Sequence, residues 1–142
     1  MPLGEMVYSV EDQERFWSKV DKTENCWNWK ACKVDGYGQF SSKHKRKREY
    51  AHRVSYQILV GEIPNKLTLD HLCRNRACVN PIHLEIVTMR ENLMRGISPT
   101  AINHRKLFCN YGHRFSEDNV YRKPSRPSER ECLKCRKRRI TP

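Results

Sequence analysis

Nowhere do the 142 residues contain an apolar run approaching the ~18–20 residues that cross a bilayer. No basic segment followed by a long apolar stretch opens the chain, so no secretory leader is expected. A membrane protein and a secreted protein are therefore both disfavoured, and a cytoplasmic location is expected. Acidic residues are scarce: 16 Asp and Glu face 28 Lys and Arg, for a net charge of +12. Apolar residues are also limited, at 37% of the chain. That length and composition allow one domain with a modest core, or one domain with a small appendage. The excess of positive charge favours a polyanionic partner, most often nucleic acid.

The charge is clustered. Residues 1–42 carry net −2, residues 43–60 carry +5, residues 61–96 carry +1 and residues 97–142 carry +8. Solubility alone gives no reason for such clustering. The first basic zone contains Lys43, Lys45, Arg46, Lys47 and Arg48. The second ends in Arg136, Lys137, Arg138 and Arg139. Both runs are read as contacts to a nucleic-acid backbone.

Local signals give the order of elements. Ser9 and Asp12 form a near capping box that opens a helix over 10–20. Trp27 and Trp29 share one face of a strand. Asp35-Gly36 predicts a tight hairpin turn between strands. A helix is expected over 52–60, ending at Gly61. A strand follows over 67–72, then a polar loop over 73–81, then a strand over 83–87. Thr88 and Glu91 form a capping box for a short helix that stops at Gly96. Residues 97–108, with Pro99, read as a linker, and residues 109–142 have almost no apolar core.

Four residues in the middle block suit a hydrolytic centre. Asp70 and His71 are adjacent at a strand end, so their side chains leave on opposite faces. One can hold a metal while the other faces a substrate. Asn92, on the helix that follows, can return beside Asp70. Two oxygen ligands plus water suit Mg²⁺ or Mn²⁺. A histidine that is neutral near pH 7, His71 or His83, can deprotonate water.

Here the residues resemble a family. Asp70-His71, then Asn80-Pro81-Ile82-His83-Leu84, then Glu91-Asn92 look like the HNH endonucleases. Cys26-Trp27-Asn28-Trp29, Gly36-Tyr37-Gly38, Ala51-His52-Arg53 and the run from Leu72 to Pro81 are similar to the phage-type members. The resemblance spans roughly residues 15–96. It implies an α+β fold: a small antiparallel sheet with a ββα-metal motif over 67–96, inside a nuclease domain of 1–96. It also implies roles. His71 would be the general base, and Asp70 and Asn92 would hold the catalytic Mg²⁺ or Mn²⁺. His83 would fill the middle catalytic position, bracing the loop and orienting the base. Asn80, Cys73 and Cys78 would be structural. The reaction implied is hydrolysis of a phosphodiester, leaving a 5′-phosphate and a 3′-hydroxyl, in a phage or mobile-element protein acting in the bacterial cytosol. Arg74, Arg90 or Arg95 would clamp neighbouring phosphates.

The tail carries Cys109-x3-His113 and Cys132-x2-Cys135, two ligand pairs separated by 18 residues. This spacing suits a zinc ribbon or knuckle over 109–142. Phage-type relatives resemble the chain here too. With so few apolar groups, a structural Zn²⁺ would be the module's main source of folding energy. Four other cysteines remain. For Cys73 and Cys78, buried thiols, a local disulfide and a second zinc site all stay open, and Cys26 and Cys32 are unassigned. His52 is expected only to pack or hydrogen-bond locally.

The expectation is a metal-dependent HNH endonuclease acting on duplex DNA, as a monomer or homodimer, without membrane contact. The alternative is a non-catalytic, zinc-stabilised DNA-binding protein on an HNH-like fold. An RNase is a third reading, weakly disfavoured because no aromatic RNA-stacking pattern is visible. A monomer with one active site should nick.

Overall fold

A computed structural model describes residues 7–140. The chain divides into two compact units, one running through Asn92 and the other from Leu93. Both are built from small antiparallel sheets and short helices, an α+β arrangement.

The first unit opens with α1 (Val10–Trp17). Its cap is the expected Ser9, whose hydroxyl accepts the Asp12 amide at 3.2 Å. The helix stops earlier than predicted, because β-branched Val20 starts β1 (Val20–Lys22) instead. β1 pairs with β2 (Trp27–Trp29), with Val20 opposite Trp29. The Asp35-Gly36 turn forms as expected. Both residues have positive φ, 51° and 85°. They join β3 (Lys33–Val34) to β4 (Tyr37–Ser42) as a two-residue hairpin. β4 then pairs with β5 (Lys47–Tyr50), which runs directly into α2 (Ala51–Leu59).

The main core lies between α1, β2, β4 and α2. Phe16, Trp29, Phe40, Ala51 and Val54 are fully buried there. Phe16 meets Phe40 and Trp17 edge to face. Gly38 is required by this packing: a Cβ at that position would lie 2.6 Å from the Trp29 ring and 2.9 Å from the Ala51 Cβ. Buried Asp12 ties α1 to the β4–β5 turn. Its carboxylate accepts Ser42 Oγ at 2.6 Å and the amides of Lys43 and His44 at 3.1 and 3.2 Å. Burial works to raise its pKa, but these donors outweigh burial and hold the carboxyl below its usual range.

β6 (Leu67–His71) and β7 (Leu84–Thr88) form the predicted hairpin, in register from Leu67 opposite Thr88 to His71 opposite Leu84. A small cluster of Ile63, Leu69 and Leu84 packs beneath it. β7 starts one residue later than predicted. Pro81–His83 instead forms a 3-10 turn, because Asn80 Oδ1 caps the Ile82 amide at 3.1 Å. α3 (Met89–Arg95) follows β7 through the expected box. The Glu91 carboxylate takes the Thr88 amide at 2.8 Å, and Thr88 Oγ1 takes the Glu91 amide at 3.2 Å. The strand, loop, strand, helix order read from the sequence is therefore present.

In the second unit, the stretch 97–108 is not a bare linker. α4 (Pro99–Arg105) forms there, capped by Ser98, with buried Ala101. Pro99 sits in the first helical turn, where a missing N–H costs nothing, so it starts a helix rather than preventing one. Arg130 donates to the carbonyls of Asn103, His104 and Lys106, which ties α4 to the tail. β8 (Val120–Lys123) and β9 (Arg126–Cys132) form a hairpin that runs into α5 (Leu133–Ile140). Among the described residues of this unit, only Ala101, Asn119 and Cys132 are buried. Apolar packing alone is too thin to explain its fold. Among the described residues, no helix is long and apolar enough to cross a membrane.

Candidate nuclease and metal centres

Asp70 and His71 close β6 and are both buried, at 3% and 6% exposure. Arg74 Nη1 donates to Asp70 Oδ1 at 2.8 Å. His71 Nε2 lies 3.1 Å from the carbonyl oxygen of Cys78. A carbonyl can only accept, so Nε2 carries the proton and Nδ1 is the basic nitrogen of the neutral ring. Burial pulls the His71 pKa below its ordinary value, with Arg74 and Arg76 acting in the same direction. The Cys78 carbonyl and Asp70 oppose them only in part. The ring therefore stays neutral, and able to accept a proton, into mildly acidic solution.

Two aromatic rings pack against this base. His52 meets His71 edge to face at 4.7 Å, and Tyr37 lies 5.8 Å away. Tyr50 stacks on His52 in turn. His52 Nδ1 is buried without a hydrogen-bond partner. Burial, with the charges of His71 and Arg53, pushes the His52 pKa down to about 3. His52 thus packs locally, as expected, but the ring it packs against is the candidate base. Only proximity in the fold reveals that contact. Asn92 sits half-buried in α3.

His83 goes elsewhere. Its Nδ1 lies 3.6 Å from Cys78 Sγ and 3.7 Å from Cys26 Sγ. With Cys73 these residues form a group whose ligand atoms all lie within 4.8 Å of one another. The ring is thus placed among sulfurs, beside the loop it was expected to brace. Cys73 and Cys78 do not form a disulfide: all seven cysteines are free. Sequence reading misses Cys26 in this group, although its position just before the Trp27 strand is visible.

The tail ligands converge as expected. Cys109, His113, Cys132 and Cys135 form a second group of the same kind. His113 Nδ1 lies 3.5, 3.7 and 3.3 Å from the sulfurs of Cys109, Cys132 and Cys135. Cys109 and Cys135 are 3.7 Å apart. Zinc bonds of ~2.3 Å to sulfur and ~2.1 Å to nitrogen give tetrahedral edges of about 3.8 and 3.6 Å. The group therefore fits zinc in both donor type and spacing. Asn119 supports it by donating to Cys132 Sγ at 3.3 Å.

The basic residues divide. Lys43 pairs with Glu11, and Lys45 lies over the Tyr8 ring beside Glu49. Arg46, Lys47 and Arg48 are exposed at the hairpin tip. In α5, Arg136 lies over Tyr121 and near Glu131, while Lys137, Arg138 and Arg139 are exposed.

Residues 49–94 match the model of an HNH endonuclease family, a span that holds Asp70, His71 and Asn92. Protein 2.8 of Escherichia phage T7 is 31% identical over 113 residues, covering 78% of this chain and 73% of that protein. The chain belongs to the HNH endonuclease family. An uncharacterized gene 5.3 protein of Enterobacteria phage T3 is 34% identical over 65 residues, covering 43% of this chain and 64% of that protein. No solved structure matches. The HNH endonuclease domain points to nuclease activity in a phage protein, and hence to a nucleic-acid substrate. Metal dependence is a property of the family, and this HNH chain holds two Cys/His groups able to bind a metal ion.

Proposed function

We propose that this protein is a metal-dependent HNH endonuclease that hydrolyses phosphodiester bonds in duplex DNA. The observation that carries the reading is the 3.1 Å approach of His71 Nε2 to the Cys78 carbonyl oxygen. With Nε2–H bonded to the Cys78 carbonyl, the ring offers Nδ1 as a base at the end of β6, beside Asp70. Asp70 and Asn92 would hold Mg²⁺ or Mn²⁺, since both offer hard oxygen donors. When bound, that ion supplies charge to polarise the phosphate and stabilise the departing 3′ oxygen.

The rest is work for side chains. His71 Nδ1 takes a proton from the attacking water. The Cys78 carbonyl holds the imidazolium that results, because Nε2–H remains bonded to it. The His52 and Tyr37 rings exclude water from the sides of the base and fix its plane. Arg74, more than half exposed and already bonded to Asp70, is placed to meet a phosphate beside the ligand carboxylate. Arg46, Lys47, Arg48 and the exposed cations of α5 supply grip on the backbone. With one such centre per chain, a monomer would nick.

The test is cleavage of supercoiled plasmid with Mg²⁺ or Mn²⁺, against single-stranded RNA as a competing substrate. Nicked plasmid in a His71-dependent reaction supports the reading. Preference for RNA would redirect it to an RNase. DNA binding without cleavage under either ion would favour the non-catalytic reading.

A further inference from the structure

We propose that Cys26, Cys73, Cys78 and His83 hold a second structural zinc ion, which clamps the loop that orients His71. The four ligand atoms lie within 4.8 Å of one another. His83 Nδ1 stands 3.6 and 3.7 Å from two of the sulfurs, which matches the tetrahedral edge of about 3.6 Å that zinc imposes. Three thiolates and one imidazole are soft donors that select zinc over Mg²⁺. Four protein ligands leave no open position, which marks a structural site rather than a catalytic one.

Two parallels within the molecule support the site. The tail group has the same donor set, three sulfurs and one Nδ1, at the same spacing. In both groups a backbone amide two residues on donates to a ligand sulfur: Asn80 N to Cys78 Sγ, and Tyr111 N to Cys109 Sγ, each at 3.4 Å. Such bonds stabilise a thiolate ligand.

The position explains what the ion would do. Cys26 precedes β2, Cys73 and Cys78 lie in the loop after β6, and His83 ends the 3-10 turn. The loop already leans on β2, through Trp29 N to Ala77 O at 2.9 Å and Val79 N to Trp27 O at 2.8 Å. A zinc ion would cross-link these segments at the residue whose carbonyl receives His71 Nε2–H. Cys78 thus serves twice, its sulfur toward the metal and its carbonyl toward the base. The link to His71 rests on the base assignment above, but the zinc site does not.

The test is zinc content of the full-length protein after removal of loosely bound metal. Two zinc ions per chain are expected. Cys26→Ser and His83→Ala should each retain one, His83→Cys should retain two, and Asp70→Ala should retain two. Cys135→Ser should lose the other ion. If Cys26→Ser does not fold, the wild type reconstituted with cobalt(II) decides. Its thiolate-to-cobalt absorption should report three thiolates at each of two ions. One zinc per chain in the wild type would overturn the proposal. So would loss of the second ion on Asp70→Ala with its retention in Cys26→Ser. A chain with two zinc ions that never cuts DNA keeps this proposal and sinks the nuclease reading; an active nuclease with one zinc ion does the reverse.

Discussion

His71 Nε2 and the carbonyl oxygen of Cys78 are 3.1 Å apart, and that one hydrogen bond fixes which nitrogen of the candidate base is free. It also connects the base to a loop rich in cysteine, asparagine and arginine, which reaches the main core through Val79. Catalytic orientation and loop stability are therefore one structural problem in this chain.

The pH dependence of cleavage should carry this signature. Burial lowers the His71 pKa, so the neutral, active form persists below the ordinary histidine value of about 6.5. Cleavage should be level at and above that pH. It should fall about tenfold per pH unit only once the pH drops through the lowered pKa. Single-turnover rates between pH 5 and 8 measure this. An acid limb centred above 6.5 would contradict a buried base.

Gly38→Ala should destabilise the first unit by about 1–3 kcal/mol, the usual cost of overpacking a filled core. The added methyl would meet the Trp29 ring at 2.6 Å, and Trp29 is fully buried. Urea unfolding followed by tryptophan fluorescence reports it. A shift below about 0.5 kcal/mol would mean that the ring has room to move, contrary to the packing described.

The exposed hairpin tip should contribute to DNA affinity without reading sequence. Replacing Arg46, Lys47 and Arg48 together with alanine should lower the slope of log K against log salt by about 2.7, or about 0.9 for each phosphate no longer neutralised. Binding to unrelated duplexes, measured with divalent metal withheld, should weaken alike. An unchanged slope would remove the hairpin from the interface. Lys43 and Lys45 should matter less, because Glu11, Glu49 and the Tyr8 ring already engage them.

What is legible in the sequence here is whatever local chemistry encodes. Ser9, Asp35-Gly36 and the Thr88–Glu91 pair mark element ends through interactions within a few residues, and all three act as read. The tail ligands are legible because two close pairs at turn spacing require few other assumptions. Cys26 and His83 are not, since they stand 57 residues apart and meet only once β2 and the loop have paired. His83 stands in the Asn80-Pro81-Ile82-His83 run, and the 3-10 turn capped by Asn80 sets its ring beside sulfur, a neighbour that the run itself does not announce. Pro99 reads as part of a linker, yet it starts a helix. His52 carries no spacing signal at all, and its packing on His71 is made only in the folded chain, where the two rings come within 4.7 Å.

The most direct measurement is the initial rate of plasmid nicking in Mg²⁺ by the wild type and by His71→Ala, with zinc content matched between them. Loss of a general base should slow cleavage by about 100- to 10,000-fold while DNA binding is retained. Equal rates in the two proteins, or intact plasmid with the wild type in both Mg²⁺ and Mn²⁺, would contradict the account.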